Sequence, residues 1–510
     1  MSDVHSLPQV SSFTEHSEDS MTSHLFRQHV ESRQDGPQVS LTLNPKVISK
    51  VVEKDLDDRT SFNDSLLSSN NFINYCATVP LPLTNGSQVT TGSCNPAPMG
   101  SIPSIQFIPS TKFQSPTNGG VMSGHPFVIQ LAVRNVEAQN LRGLDIGNVT
   151  NPMTNYQAAP QQLDSGGLIK RRIAIIIESL SAMNQTTPPN PTIYDLFHEV
   201  IDSNDVSFLS VNLDNGLKPG VYRISSLTRG LNFQPIVLPV MDHGAMDDAI
   251  YITVTADEEP QPRAKRRIVS NSQILPRQTG ATTTSGSDSN AQSSTTLLNS
   301  QISTAFASDG ENKMSGTTAS LTSHNNFINY CLTIPVSLTN GQQRRGGGGA
   351  SCNPIPIGAI PATSAIPAFK FVRPGNFDRL DPGKPFSIML NYKNMVISMT
   401  NPDTRYLSAP QRLDSSGMIR GYARVVIEAL TSFNQTDPTD PTTIAYASPM
   451  TNQDGTGTLV TNATDGLPAG FYRLSSMAVT ENHYPVALPE SMHGAINDVI
   501  YVRHLPQFCT

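Results

Sequence analysis

The chain has 510 residues and a net charge of −7, and single hydrophobic cores stop growing at roughly 250 to 300 residues, so we expect two or more domains. Because the charge balance is acidic, no overall positive field would attract a phosphate backbone, and nucleic-acid binding is disfavoured. No apolar run reaches the ~18 residues that a membrane-spanning helix needs, so no membrane span is predicted. The 39 Pro and 34 Gly favour short strands and many turns over helices.

The first segment, residues 1–60, begins with a polar and charged stretch. A secretory signal would show a basic head followed by an apolar segment, and none is visible here. Since the segment carries too little apolar surface to offset chain entropy, we predict that most of it is disordered.

The main feature of the sequence is an internal repeat, which predicts that residues 61–255 and 321–510 are two copies of one module. The matched segments recur in the same order: Asn-Asn-Phe-Ile-Asn-Tyr-Cys at 70–76 and 325–331, Ala-Pro-Gln at 159–161 and 409–411, Tyr-Arg at 222–223 and 472–473, and His-Gly-Ala at 243–245 and 493–495. A repeat of this length and order predicts two domains of similar fold.

Within each copy the apolar residues alternate with period 2, as in a half-buried strand. One face of such a strand is formed by Phe127, Ile129, Leu131 and Val133, and in the second copy by Phe386, Ile388, Leu390 and Tyr392. The β-branched runs Ile173–Ile177 and Val425–Ile427 are typical of interior strands. We therefore predict an all-β fold with two tandem antiparallel, immunoglobulin-like β-sandwiches.

The two copies are joined by residues 256–320, which are rich in Ser and Thr and poor in aromatic residues, so we predict a disordered linker. It contains Lys265-Arg266-Arg267, for which three interpretations stay open. The cluster could be a processing site that frees the second domain, a nuclear-import patch, or a solvated charge cluster in a flexible tether.

The cysteines and glycosylation sequons bear on the cellular compartment. Matched positions predict one disulfide in each copy, Cys76 with Cys94 and Cys331 with Cys352, which would persist only in an oxidising compartment. The alternative is a pair of small buried thiols in each copy; Cys509 is left unpaired. Asn184 and Asn434 open Asn-X-Thr sequons and are the candidate glycosylation sites.

The best candidates for chemistry are polar residues that recur in both copies: Glu178, His243 and Asp248, and Glu428, His493 and Asp498. Two carboxylates and an imidazole could act as acid and base or hold a metal ion. Alternatively, each His precedes and caps a Gly turn while each Asp bonds backbone amides. Because no nucleophile elbow, His-Glu-X-X-His pair or dinucleotide fingerprint is present, we predict no catalytic residue and no cofactor.

With its Asn-Phe-Ile-Asn-Tyr-Cys, Ala-Pro-Gln, Tyr-Arg and His-Gly-Ala motifs, the chain resembles a family of fungal secreted proteins without an established activity, most of which have one module and some of which carry a ribosomal-protein label. The resemblance implies a small His cluster, formed by a strand before the Ile-Glu pair and by an Asn-His-X-Pro segment. Here that strand has Arg172 and Ala174, or Tyr422 and Arg424, and the segment survives only as 482–485. The weak metal candidates are therefore His483, His493 and Glu428.

Three functional hypotheses follow. The first is a non-enzymatic structural or binding protein of the fungal cell surface or extracellular space, with cell-wall polysaccharide or a surface protein as its partner. The second is a metal-binding or metal-dependent module centred on His483 and His493. The third is an intracellular protein, which the absence of a visible signal segment favours.

Overall fold

The computed structural model describes residues 40–45, 70–78, 81–83, 93–95, 100–135, 161, 163–169, 171–200, 208–230, 235–256, 294–302, 323–333, 337–338, 351–353, 358–400, 410–454 and 457–505. The Lys265-Arg266-Arg267 cluster, Cys509 and most of the two segments predicted to be disordered lie outside these ranges.

Within the described ranges, the first copy has ten strands and two 3-10 helices. The strands are β1 (Ser93–Asn95), β2 (Gly100–Ile102), β3 (Ser110–Ser115), β4 (Gly120–Ser123), β5 (Phe127–Arg134), β6 (Arg171–Leu180), β7 (Leu196–Val200), β8 (Phe208–Leu213), β9 (Gly220–Gly230) and β10 (Ala249–Thr255), and the 3-10 helices are Tyr75–Thr78 and Ile105–Phe107. A five-stranded sheet has the order β4-β10-β9-β6-β7 and a three-stranded sheet the order β3-β5-β8. All of these pairs are antiparallel except β4 with β10.

The second copy repeats this architecture. Its strands are β11 (Ser337–Leu338), β12 (Ser351–Asn353), β13 (Gly358–Ile360), β14 (Ala368–Arg373), β15 (Arg379–Leu380), β16 (Phe386–Lys393), β17 (Met395–Ile397), β18 (Ile419–Leu430), β19 (Tyr446–Met450), β20 (Leu459–Ala463), β21 (Gly470–Thr480) and β22 (Val499–His504), with 3-10 helices Tyr330–Thr333 and Thr363–Ala365. The larger sheet has the order β15-β22-β21-β18-β17, with β19 also paired to β18, and the smaller sheet the order β14-β16-β20. The prediction of an all-β chain with two tandem sandwiches is confirmed.

Each sandwich has its own hydrophobic core between its two sheets. In the first copy Ile129 and Leu131 of the small sheet pack with Ile175 and Ile224 of the large one. The predicted alternation on β5 is present, since Ile129 and Leu131 are buried and Val128 is exposed. Burying this apolar surface stabilises each copy at about 25 cal/mol per Å².

The outer faces of the two larger sheets are also buried, because each is covered by the other copy. Strand β6 shows this: Ile175 points into its own core, while Ile176 is equally buried on the opposite face. Ala249 of the first copy packs with Val499 and Tyr501 of the second. Interior strands with no solvated face account for the continuous β-branched runs in the sequence.

Two short segments outside the sandwiches pair with each other. Thr42 and Thr296 form an antiparallel bridge, and a 3-10 helix, Asn299–Gln301, lies near the end of the second segment. We call residues 40–45 the first arm and residues 294–302 the second arm. Both fall within regions for which the composition predicts disorder, and here the structure differs because Leu43 and Leu297 are buried against the two copies.

Candidate functional site

The His-Gly-Ala loop of each copy inserts into the other copy. Gly244 N donates to Pro441 O at 2.7 Å, and Gly494 N donates to Pro191 O at 2.6 Å. A Cβ atom at Gly494 would lie only 2.5 Å from Glu178 Oε1, so no side chain fits there. The glycine of each loop is therefore required by close approach to the opposite module.

Beside each loop lies a buried set of charged side chains contributed by both copies. The first interface cluster consists of Glu178, Arg223 and Tyr251 from the first copy, and Lys370 and Asp498 from the second. Arg223 donates from Nε and Nη2 to Glu178 Oε2, at 3.0 and 2.7 Å, and its Nη1 lies 3.1 Å from Asp498 Oδ1. Lys370 Nζ donates to Asp498 Oδ2 at 2.8 Å and to Tyr251 OH at 2.7 Å. Tyr251 in turn donates a short hydrogen bond to Asp498.

The second interface cluster is the pseudo-symmetric counterpart. It consists of Glu428, Arg473 and Tyr501 from the second copy, and Lys112 and Asp248 from the first. Arg473 donates to Glu428 Oε2 from Nε at 3.1 Å and from Nη2 at 2.7 Å, and its Nη1 lies 3.4 Å from Asp248 Oδ1. Lys112 Nζ lies 3.2 Å from Asp248 Oδ2 and 2.8 Å from Tyr501 OH. Each cluster holds two cations and two carboxylates, so charge is balanced without solvent.

The alternation of side chains between the two faces of a strand explains why Arg223 is buried at the interface between the copies. Tyr222 and Ile224 of β9 belong to the core of the first copy, so Arg223 between them points to the opposite face of the sheet. That face is covered by the second copy, where Ala495 O accepts from Nη2 at 2.9 Å and Asn497 O accepts from Nη1 at 3.1 Å. Every donor of the guanidinium group is therefore used.

Burial and charge act in opposite directions on the acids of the first cluster. Burial alone would raise the pKa of the Asp498 carboxyl, but Lys370 and Arg223 lower it below its ordinary value. For Glu178 burial prevails over the attraction of Arg223 and raises the pKa. Burial likewise lowers the pKa of Lys370, against the attraction of Asp498. The cluster is stable as ion pairs only while the two copies stay together.

The two clusters differ at Thr439, whose hydroxyl bonds both Glu428 and Arg473. Thr439 Oγ1 donates to Glu428 Oε1 at 2.6 Å. The first copy has Pro189 at the equivalent position, and within the described ranges Glu178 Oε1 has no hydrogen-bond donor. The second cluster is consequently the better satisfied of the two.

The histidines of the two loops do not face the carboxylates with which the sequence groups them. The Nδ1 atoms of His243 and His493 lie 2.7 and 2.8 Å from the carbonyl oxygens of Gly244 and Gly494. Burial lowers the pKa of His493 to about 4, and burial together with nearby Arg424 lowers that of His243 to about 4. Both imidazoles are therefore neutral near pH 7.

His483 lies in a separate buried cluster of the second copy. Its Nδ1 is 2.8 Å from Tyr422 OH and its Nε2 is 3.4 Å from Thr400 Oγ1. Burial and the positive charge of Arg424 lower the pKa of His483 to about 3. Arg424 itself forms a short ion pair with Asp242 of the first copy. Tyr422 and Arg424 occupy the strand positions at which the family resemblance implies histidine.

The three weak metal candidates are not brought together. His483 contacts Tyr422, His493 lies beside the loop glycine, and Glu428 is bound by Arg473. Across the residues that the structure describes, no group of three or more His, Cys, Asp and Glu side chains could hold a metal ion. Nothing in this geometry supports the metal-site hypothesis.

The cysteines and the sequon asparagines, which bear on the cellular compartment, occupy equivalent places in the two copies. Cys76 and Cys331 are buried, while the side chains of Cys94 and Cys352 lie outside the described residues, so the disulfide pairing stays a prediction. Asn184 and Asn434 are exposed, in the loops that follow β6 and β18. Their exposure satisfies the steric requirement of a glycosylation site.

Sequence reasoning missed six cluster members, namely Lys112, Arg223, Tyr251, Lys370, Arg473 and Tyr501. A signal was present in the Tyr-Arg pair, which recurs in both copies within an otherwise apolar, period-2 strand. A charged residue retained in both copies of such a strand indicates a buried partner on the second face.

The fold and the interface clusters define a two-module all-β protein in which interior ionisable groups are paired between the modules. The chain belongs to the CLU5d N-terminal domain family, whose model matches residues 111–255 and 369–504, more than half of the chain. The chain is also 32% identical over 219 residues to the Pathogenicity cluster 5 protein d of the fungus Colletotrichum graminicola. That alignment covers 42% of this chain and 43% of the relative, so the chain matches less than half of the relative's length.

Three solved structures show weak likeness. Escherichia coli alpha-2-macroglobulin activated by porcine elastase is 8% identical, over 78% of this chain and 22% of that chain, with a TM-score of 0.14. The chicken CNTN1 FN1-FN3 domains are 5% identical, over 76% and 68%, with a TM-score of 0.13. An engineered protein is 7% identical, over 29% and 20%, with a TM-score of 0.16.

Among the described residues, no helix is long and apolar enough to cross a membrane.

Proposed function

We propose that this chain is a non-enzymatic structural or binding protein of the fungal cell surface or extracellular space. The observation that carries the proposal is that the recurrent acids are bound in ion-paired clusters at the interface between the two modules. Glu178 and Asp498 both bind Arg223, and Glu428 and Asp248 are held by Arg473 in the same way. General acid–base catalysis needs such groups within reach of a substrate, and these are buried between two modules.

The extracellular part of the proposal is supported by features that recur in both copies. The exposed sequon residues Asn184 and Asn434 stand at the same place in each module. We propose that both carry glycans and that Cys76–Cys94 and Cys331–Cys352 are disulfides. The strand pairing favours the first disulfide, because Cys94 pairs with Ser101, whose Oγ lies 3.3 Å from the hydroxyl of Tyr75 next to Cys76.

For a partner, we propose cell-wall polysaccharide or a surface protein. The fungal relative is named for a pathogenicity cluster. A protein at the fungal cell surface would be in a position to contribute to pathogenicity. Two modules fixed rigidly to each other would present a bivalent surface, which raises avidity for a polymeric ligand.

The first test is the intact mass of the native protein from its fungal source, with and without reduction and deglycosylation. Under the proposal, reduction adds four hydrogens to the described pairs and deglycosylation removes mass from peptides containing Asn184 and Asn434. Matched Asn184→Gln and Asn434→Gln variants should each lose one glycan. An unmodified chain with all cysteines reduced would refute the extracellular location and favour the intracellular alternative.

A separate test addresses the partner. The purified full chain is sedimented with insoluble β-glucan, with chitin and with cellulose as a control polymer. Saturable co-sedimentation with one wall polymer supports polysaccharide binding. If the chain stays in the supernatant with every polymer, polysaccharide is excluded and a surface protein is left as the proposed partner.

A further inference from the structure

Each copy holds an extended segment that comes from the sequence preceding the other copy. The first arm lies on the Asn-Asn-Phe-Ile-Asn motif of the second copy, and the second arm lies on that of the first copy. The arms run antiparallel, with Leu43 N donating to Thr295 O and Leu297 N donating to Leu41 O, both at 2.7 Å. The two sites therefore lie next to each other, and each of them binds the arm that precedes the other copy.

In the second copy two asparagines bind the main chain of the first arm. Asn325 Nδ2 donates to Ser40 O at 2.7 Å, and Asn329 Nδ2 donates to Thr42 O at 3.1 Å. Asn329 Oδ1 also accepts from the backbone N of Asn44 at 2.8 Å. One asparagine therefore satisfies both a carbonyl and an amide of the extended segment.

In the first copy the same atoms make the same contacts with the second arm. Asn70 Nδ2 donates to Ser294 O at 2.6 Å, and Asn74 Nδ2 donates to Thr296 O at 3.0 Å. Asn74 Oδ1 accepts from Leu298 N at 2.8 Å. Two arms of different sequence are thus bound in one register, which is the behaviour of a site that recognises backbone.

Side chains of the arms add selectivity to this backbone recognition. Leu43 and Leu297, each 1% exposed, pack in a shared apolar cluster with Ile73, Phe327 and Ile328. The serine that opens each arm bonds its own segment: Ser40 Oγ donates to Thr42 O at 3.1 Å, and the equivalent contact of the second arm is also 3.1 Å. The residues shared by both arms are Ser-X-Thr-Leu, at 40–43 and 294–297.

We propose that the Asn-Asn-Phe-Ile-Asn motif of each copy is a peptide-binding site that takes an extended Ser-X-Thr-Leu segment. Two asparagine side chains bind the peptide backbone, and an apolar pocket binds the leucine. In this chain the sites are occupied by its own arms, and an emptied site accepts the same segment as a separate peptide. Main-chain hydrogen bonds supply affinity and one side-chain pocket supplies specificity, as in strand-addition recognition.

The test uses the full chain with Leu43→Asp, which drives the first arm out of its pocket. A fluorescent peptide of residues 38–46 is titrated into this variant, into the wild-type chain and into Leu43→Asp/Asn329→Ala. We expect binding to Leu43→Asp at least tenfold tighter than to either of the others, because only that chain has an empty and intact site. A peptide with Leu43→Asp serves as the matched ligand control. Equal or absent binding to all three folded chains would overturn the proposal.

Hydrogen exchange on full-length single variants gives an independent answer if Leu43→Asp does not fold. Asn329→Ala should raise amide exchange at Asn44, whose N–H is bound by Asn329, at least tenfold and leave Leu298 less affected. Asn74→Ala should do the converse, because Leu298 N donates to Asn74. The two variants control for each other, since each removes the same side chain from an equivalent site. Exchange that is unchanged in both variants would show that the asparagines do not hold the arms.

Discussion

The guanidinium group of Arg223 and the carboxylate of Asp498 lie 3.1 Å apart, although 275 residues separate them in the chain. The pair joins β9 of the first sandwich to the residue that precedes β22 of the second. It recurs in reverse as Arg473 with Asp248, at 3.4 Å. Two modules that are distant in sequence are therefore fastened at two symmetric points by charges that neither could bury alone.

Breaking one of these pairs should destabilise the whole chain. Asp498→Asn leaves Arg223 and Lys370 without their shared carboxylate in a buried site, and we expect the free energy of unfolding to fall by about 3–5 kcal/mol. Urea denaturation followed by circular dichroism measures this change. The matched control is Asp440→Asn, which breaks the half-exposed inter-module pair with Arg134 and should cost about 0–1 kcal/mol. Equal losses for both variants would contradict the assignment.

The loop glycines should tolerate no side chain. In Gly494→Ala the added methyl group would meet Glu178 Oε1 at 2.5 Å and the Cα of Pro191 at 3.1 Å, so we expect a loss of about 1–3 kcal/mol from overpacking. Thermal denaturation of the purified variant provides the measurement. Gly417→Ala is the control, since a methyl group there meets nothing within 4 Å and only the positive φ of 80° opposes it. A smaller loss at Gly494 than at Gly417 would argue against loop insertion.

The Thr439 hydroxyl should contribute measurably to the second cluster. Thr439→Val keeps the shape of the side chain but removes the donor to Glu428 Oε1, leaving a buried carboxylate oxygen unsatisfied at a cost of about 1–3 kcal/mol. Chemical denaturation measures the cost. Thr442→Val removes an exposed hydroxyl bond to Asp440 and should change stability little. If the two variants behave alike, the hydrogen bond to Glu428 does not stabilise the interface.

Mild acid should weaken the folded chain through its buried loop histidines. The pKa of His493 is about 4 when folded and near 6.5 in an exposed chain, so below pH 6.5 the unfolded state gains protons first. The contribution of His493 to the free energy of unfolding is complete above pH 6.5. It falls by about 3 kcal/mol as the pH drops from 6.5 to 4 and does not change further below pH 4. Denaturation curves from pH 7 to 4 should show a shallower decline for His493→Gln than for the wild type. Parallel curves would remove His493 as a source of acid sensitivity.

Cleavage between the two modules should not separate them. A specific protease site introduced between residues 257 and 293 would divide the chain while leaving both arms and both interface clusters intact. We expect the two fragments to elute as one species in size-exclusion chromatography and to separate only in denaturant. Processing at Lys265-Arg266-Arg267 would then nick the protein without freeing the second domain. Independent elution of the fragments at micromolar concentration would contradict this expectation.

The sequence predicts the sandwiches well because their determinants are local. Period-2 alternation in Phe127–Arg134 and the β-branched run Ile173–Ile177 favour strands through residues that are neighbours in the sequence. Because of the internal repeat, each strand predicted in the first copy is also predicted in the second. The arms could not be predicted in the same way: their composition is that of a linker, and most of the residues that bury Leu43, such as Leu297 and Phe327, lie far away in the chain.

The sequence predicts the four acids of the candidate site but neither their cationic partners nor their grouping. Glu178, Asp248, Glu428 and Asp498 were singled out because they recur, yet Glu178 shares an arginine with Asp498 and not with Asp248. Two copies with the same residue types at equivalent positions give the same sequence pattern whether contacts form within a copy or between copies. Only the three-dimensional arrangement distinguishes the two cases.

The difference between Thr439 and Pro189 shows what covalent fusion of the two copies allows. In an assembly of two identical chains, every substitution would be present at both of the symmetric positions. In a single chain one half can keep a hydroxyl next to its buried glutamate while the other half exchanges it for a rigid loop residue. The protein is in this sense a heterodimer encoded as one polypeptide, whose halves are free to acquire different roles while sharing one fold.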